Sequence, residues 1–191
     1  SGLMGNGTQT SALAYGGVTP PNAEVAKTNS WNGSAWTEVA DLGTARQQGG
    51  AAGVSNTSAL ASGGANFPSP GVMTVVEQWN GASWTEITDI NQARYGQQGF
   101  GTVTSALICG GQAPGSNYYK NTELWNGASW TEVADISFER SFGGAAGSDN
   151  TSGLIFGGYD DSPTDLRTVK VELWNGSSWV EQADLSPPSG F

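Results

Sequence analysis

Four aspartates, Asp41, Asp89, Asp135 and Asp184, recur at equivalent places along the chain and are the first residues that could do chemistry. An enzyme built on carboxylates alone would need two of them brought together as acid and base. The sequence holds no histidine, which removes Ser–His and Cys–His nucleophile systems and any imidazole base. Cys109 is the single cysteine and ends the apolar run Ala106-Leu107-Ile108-Cys109, so it reads as a small buried hydrophobe and forms no internal disulfide. The loop from Tyr159 to Asp165 gathers Asp160, Asp161 and Asp165, hard oxygen ligands that suit Ca²⁺; the spacing fits no EF-hand, and an exposed acidic turn explains it equally. Asn117-Tyr118-Tyr119-Lys120 sets aromatics beside amide and cation, with Phe67 and Tyr159 in comparable loops. Sugar recognition uses such groups, although tyrosines can also cover an apolar edge. No phosphate-binding or zinc motif occurs, so no catalytic residue is assigned and no cofactor is expected.

Composition narrows the classes further. With 29 Gly and few charged residues, the chain is rich in Thr, Val, Trp, Ser and Asn, the balance of short strands joined by tight turns. Its net charge of −10, with only seven Lys and Arg, argues against nucleic acid, which requires a basic face, and against anionic membrane surfaces. No apolar stretch is long enough to span a bilayer, so membrane insertion is not expected. The chain starts at Ser1 and shows no signal peptide, which suggests a processed product or part of something longer.

A repeat must carry these residues. Trp-Asn-Gly-x-x-Trp occurs four times and contains every tryptophan: Trp31/Trp36, Trp79/Trp84, Trp125/Trp130 and Trp174/Trp179. Each copy follows a glycine doublet, Gly16-Gly17, Gly63-Gly64, Gly110-Gly111 or Gly157-Gly158, and successive doublets lie 47 residues apart. A period of that size marks a repeat architecture. Each unit divides into four extended segments. The first is small and Gly-rich, as in Gly49-Gly50-Ala51-Ala52-Gly53. The second is apolar and runs into the doublet, as in Ser105-Ala106-Leu107-Ile108-Cys109. The third ends in the first Trp, and the fourth begins with the second. Asn-Gly between the last two predicts a tight hairpin, because both residues tolerate positive φ. Four up-and-down strands in about 47 residues match a propeller blade. The prediction is an all-β, single-domain propeller over 1–191, with four blades of four antiparallel strands at approximately 1–45, 46–93, 94–139 and 140–191. The glycine-rich strand suits the crowded centre, and the eight indoles suit the wide space between blades.

The glycine doublet, the Glu before an aromatic and the later Trp together resemble the kelch repeat, over the whole chain. The doublets match the kelch double glycine and the second Trp of each pair matches the kelch Trp. The first Trp stands where many kelch units have Tyr, and the Asn-Gly turn is shorter than usual. Kelch-type galactose oxidases bind copper through histidines, so that activity does not carry over. The run Trp-Asn-Gly-Ala-Ser-Trp-Thr-Glu-Val-Ala-Asp, followed by a Gly-rich strand, is also similar to the kelch-like arrays of tailed, especially marine, phages. That resemblance implies a virion appendage or fibre module.

The ends are in phase with the repeat, which predicts a closed four-bladed ring; a slice of a longer array, or a ring completed by a second chain, are the alternatives. Strand parity puts the near-invariant turns on one face and the variable connections, 18–30, 65–76, 112–122 and 159–171, on the other. Variable loops on a repeated scaffold are where binding resides. The recurring Asp are expected to be structural, capping a turn or pairing with a nearby Arg, and Glu77, Glu123 and Glu172 are expected to anchor backbone amides or an Arg. The functional expectation is a non-catalytic module, in a virion or extracellular, contacting protein or cell-surface glycan and assembling as a homo-oligomer or within a larger virion structure. The alternative is a scaffold propeller of a bacterial extracellular or surface protein.

Overall fold

The computed structural model describes residues 2–68, 71–115, 117–160 and 167–186. Blade 1 comprises β1 (Met4–Thr8), β2 (Ser11–Tyr15), the short β3 (Val18–Thr19) and β4 (Ala23–Glu24), β5 (Thr28–Trp31) and β6 (Trp36–Val39). Blade 2 comprises β7 (Gly50–Ser55), β8 (Ser58–Ser62), β9 (Ala65–Asn66), β10 (Gly71–Val72), β11 (Val76–Trp79) and β12 (Trp84–Ile87). Blade 3 has β13 (Gln98–Thr102), β14 (Ser105–Cys109), β15 (Gln112–Ala113), β16 (Asn117–Tyr118), β17 (Thr122–Trp125) and β18 (Trp130–Val133). Blade 4 has β19 (Gly144–Asp149), β20 (Ser152–Phe156), β21 (Val171–Trp174) and β22 (Trp179–Glu181). Each blade is one four-stranded antiparallel sheet in chain order, β1-β2-β5-β6 and its counterparts, and the short strands pair as separate two-stranded ribbons. The fold is a four-blade β-propeller, as the repeat predicts.

The Trp-Asn-Gly-x-x-Trp motif builds its hairpin in two ways. Glycine takes the positive φ, 93–97° at Gly33, Gly81, Gly127 and Gly176. Asparagine works through its side chain instead: Asn80 Oδ1 accepts the amides of Ala82 and Ser83, both at 2.9 Å. The flanking indoles then face each other across the strand pair, with ring centroids 5.2–5.5 Å apart in all four blades. The first indole of each pair also ties down its own blade's first turn, as Trp125 Nε1 donates to the Val103 carbonyl at 2.8 Å.

The core consists of three slabs, one between each pair of successive blades. Met4, Leu13, Tyr15 and Leu42 of blade 1 pack on Ala59, Ala61 and Trp79 of blade 2. Leu60, Val76 and Ile90 meet Ile108, Trp125 and Trp130 in the second slab. Phe100, Leu107 and Ile136 meet Ile155, Trp174 and Trp179 in the third. In blades 2 to 4 the second indole of the pair crosses the slab: Trp84 Nε1 donates to Thr28 Oγ1 (3.0 Å), Trp130 Nε1 to the Thr88 carbonyl (3.1 Å) and Trp179 Nε1 to Thr122 Oγ1 (3.0 Å).

The glycine doublets belong to these junctions. Gly110 has φ 64°, and a Cβ there would stand 2.5 Å from the Arg140 carbonyl oxygen of the next connection. Gly111 N–H donates to that same oxygen at 2.7 Å. Cys109 is fully buried in the third slab, and burial pushes its thiol up to about 12. Native Cys109 is therefore expected to stay unmodified by a thiol reagent at pH 8 and to react at once in denaturant. Rapid labelling of the native protein would contradict this. The sign for stability follows: above about pH 9 the unfolded chain loses a thiol proton that the fold retains, so stability falls as pH rises from there towards about 12.

Two expectations are corrected. The innermost strands pack β1 on β7, β7 on β13 and β13 on β19, but β19 and β1 make no contact of that extent. The blades thus form an open succession rather than the closed ring expected from the phase of the ends. In consequence the indoles are not equivalent: Trp36 of blade 1 is 54% exposed, whereas Trp130 and Trp179 at the same repeat position are 6% and 9%. The second correction concerns the aspartates, which do not pair with the arginines. Asp41 meets Lys27 (3.4 Å), Asp184 meets Lys170 (3.2 Å) and Asp89 accepts the Thr74 hydroxyl (2.8 Å). Arg46, Arg94 and Arg140 pair instead with Glu77, Glu123 and Glu172, the other partner considered for those glutamates.

Candidate ligand-binding face

The two-stranded ribbons all arise in the second-to-third strand connection of their blades, on the variable face. The connectors that lead from one blade to the next run beside them. Their positions are set by Arg46, Arg94 and Arg140, whose side chains have no exposure. Arg46 shows the design: Nη1 donates to the carbonyls of Gly63 (3.0 Å) and Val75 (2.7 Å), and Nη2 to Glu77 Oε1 (2.6 Å). Glu77 Oε2 then accepts the Gly43 amide at 2.6 Å, so one ion pair pins the connector to both the doublet and the third strand. Two residues beyond each Arg, Gln48, Gly96 and Phe142 take φ 57°, 69° and 57°. Their amides form a chain across successive connectors, Gln48 to the Gly2 carbonyl (2.8 Å), Gly96 to Gln48 (2.7 Å) and Phe142 to Gly96 (2.7 Å).

This scaffold lines up four aromatic rings. Phe67, Tyr95, Phe142 and Tyr159 stand edge to face in sequence, with centroids 5.8, 6.0 and 6.3 Å apart. Phe67, Phe142 and Tyr159 are each 40–43% exposed, so the row presents a partly open apolar rim spanning blades 2 to 4. Tyr95 is held beneath by Gln112 Nε2, which donates to its hydroxyl at 2.6 Å. Phe67 and Tyr159 stand out in the sequence as loop aromatics, whereas Tyr95 and Phe142 do not. The missing signal is their place in the connectors, where Gln47-Gln48, Tyr95-Gly96 and Ser141-Phe142 depart from one another while the neighbouring Arg does not.

Beside Phe67, between the ribbons of blades 1 and 2, lies a groove of about 440 Å³ lined by Val18, Asn22, Glu24, Gln47, Phe67 and Pro68. Glu24 Oε1 accepts both Gln47 Nε2 (3.0 Å) and the Phe67 amide (3.1 Å). Burial works to raise the Glu24 pKa, but the amides of Phe67 and Glu24 itself and the Gln47 side chain outweigh it, and the net shift is downward. Glu24 is therefore an ionised acceptor rather than a proton donor near neutral pH. An aromatic ring, an amide and a carboxylate around one open groove can hold a hydroxylated or amide-bearing ligand.

Asn117 and Tyr118 form the second strand of the blade 3 ribbon, and Tyr119 lies in the connection from it to β17. Asn117 Nδ2 donates to the Pro114 carbonyl (3.2 Å), closing its own turn. The Tyr119 ring covers the buried Arg94 guanidinium at 5.8 Å, a packing role. Tyr118 is half-buried. Asp161 and Asp165, considered for calcium with Asp160, lie outside the described residues. Among the described residues no three Cys, Asp or Glu side chains converge where they could hold a metal ion.

The class that fold and face define is a β-propeller with a ribbon-built variable surface. No protein-family profile matches the chain, and no curated protein matches it. The solved structure of YjhT is similar over 99% of this chain and 67% of its own, with a TM-score of 0.77 at 16% sequence identity. That likeness shows the fold alone.

Proposed function

We propose that this chain is a non-catalytic binding module that engages a protein or cell-surface glycan through its ribbon face, as part of a phage virion appendage. The observation that carries the binding reading is the exposed aromatic row beside the Glu24–Gln47–Phe67 groove. Open aromatic faces next to fixed amide and carboxylate acceptors serve ligand contact better than they serve packing. Five carboxylates of the repeat are committed elsewhere: Glu77, Glu123 and Glu172 to buried arginines, and Glu38 and Glu181 to Lys27 and Lys170. Among the described residues that line the groove, Glu24 is the single carboxylate, whereas general acid–base work takes a pair. The virion setting rests on the likeness of the Trp-Asn-Gly repeat to phage arrays.

Phe67→Ala is expected to weaken binding to the best-scoring glycan or host-cell surface at least tenfold, roughly 1.4 kcal/mol, while leaving the melting temperature nearly unchanged. A glycan array followed by cell adsorption measures this. Equal retention by Phe67→Ala, Tyr159→Ala and the parent protein would sink the ribbon-face reading. Adsorption to no host cell by an otherwise intact glycan binder would sink the virion setting alone.

A further inference from the structure

We propose that the chain associates head to tail with a second copy of itself, blade 1 of one copy docking on blade 4 of another. Both surfaces are halves of an interface that the chain already builds three times. In each internal slab, the later blade contributes alternate residues of its second strand and its second Trp. The earlier blade contributes the other residues of its second strand and a Leu or Ile from its connector.

Among the described residues, blade 1 presents the later-blade half without a partner. Ala12 and Ala14 stand where Ala59 and Ala61 are fully buried, and Trp36 stands where Trp130 and Trp179 are buried. Among the described residues, blade 4 presents the earlier-blade half without a partner. Leu42, Ile90 and Ile136 are 2–4% exposed under the following blade, whereas Leu185, in their position, is 42% exposed. Its backbone is already set for the role. Leu185 N–H donates to the Val169 carbonyl at 2.9 Å, as Leu42, Ile90 and Ile136 donate to Ala26, Thr74 and Lys120. Among the described residues, a Cβ on Gly157 meets nothing closer than 3.6 Å, whereas at Gly16, Gly63 and Gly110 it would strike the next connector's carbonyl at 2.5–2.8 Å. Blade 4 carries Val171 where blades 1 and 3 carry Thr28 and Thr122, so a docking indole has no hydroxyl to meet. Blade 2 solves the same problem, because there Trp130 uses the Thr88 carbonyl, and Ala183 occupies that place in blade 4.

The occupant is thus a blade of this repeat, and the chain itself carries both matching halves. Such a contact is heterologous. Two copies close it if eight blades complete the wheel, and otherwise it grows into longer species. With a net charge of −10 on each copy, association strengthens as salt screens the repulsion.

Sedimentation of the purified 191-residue chain from low to high micromolar concentration, in dilute and in about 0.5 M salt, tests the proposal. Dimers or longer species should appear with concentration, and Trp36→Glu or Leu185→Glu should each return the 19.7 kDa monomer. Both positions are exposed, so thermal unfolding should confirm that each variant stays folded. Mixing the two variants should restore a 1:1 dimer and nothing larger, because each supplies the face that the other lacks. A monomer under every condition overturns the proposal. So does association that survives both substitutions, or a mixture that stays monomeric when the parent associates.

Discussion

Arg94→Met is expected to destabilise the protein by about 3–5 kcal/mol, read as a melting temperature lower by roughly 6–20 °C. The Arg94 side chain has no exposure. It donates to the carbonyls of Gln92 (3.3 Å), Gly110 (3.1 Å) and Asn121 (2.8 Å) and to Glu123 Oε1 (2.6 Å). Burial lowers the arginine's pKa against the attraction of Glu123, so desolvation is only partly offset. Removing the cation leaves Glu123, also without exposure, as an unpaired charge and takes a donor from three carbonyls around the junction of connector and doublet. The double variant Arg94→Met with Glu123→Leu should recover part of the loss, since no charge is stranded. Its remaining deficit reports the freed carbonyls and the Asn91 amide, which now donates to Glu123 Oε2 at 2.7 Å. A single-variant loss below about 1 kcal/mol, the range of a surface pair, would show that the ion pair is not a closed latch.

Trp130→Ala and Trp36→Ala should differ sharply although they change the same repeat position. Trp130 is 6% exposed and spans the slab to the Thr88 carbonyl, so its truncation is expected to cost about 3–5 kcal/mol. Trp36 is 54% exposed, and at low micromolar concentration its truncation should cost less than about 1 kcal/mol. Chemical denaturation of both variants side by side makes the comparison. Equal losses would mean that the blade 1 face is covered even in the dilute monomer.

Much of this architecture was legible beforehand. The 47-residue spacing of the doublets located each blade, and the Asn-Gly turn located its hairpin, because a turn that needs positive φ selects its residues locally. Glu77, Glu123 and Glu172 read correctly as anchors for backbone amides or an Arg. Their pairing with Arg46, Arg94 and Arg140 rather than the nearer aspartates did not show. That choice depends on which carboxylate is buried beside the connector, and Asp41 and Asp184 face solvent with Lys27 and Lys170 in reach. On the ribbon face, Phe67 and Tyr159 stood out as loop aromatics. Tyr95 and Phe142 did not, because they sit in connectors whose neighbours are construction residues.

The sequence by itself therefore determined the unit: four strands, a glycine doublet, two indoles and a variable side, all governed by contacts within about 47 residues. Only the tertiary structure decided how the units relate. Trp36 and Trp130 are the same letter at the same phase, yet one is open and the other buried, because burial depends on whether a neighbouring blade stands in front. For the same reason four rings from three blades became one aromatic row. Their alignment is set by the connector amides that hold Gln48, Gly96 and Phe142 in step, a relation between repeats that no single repeat contains.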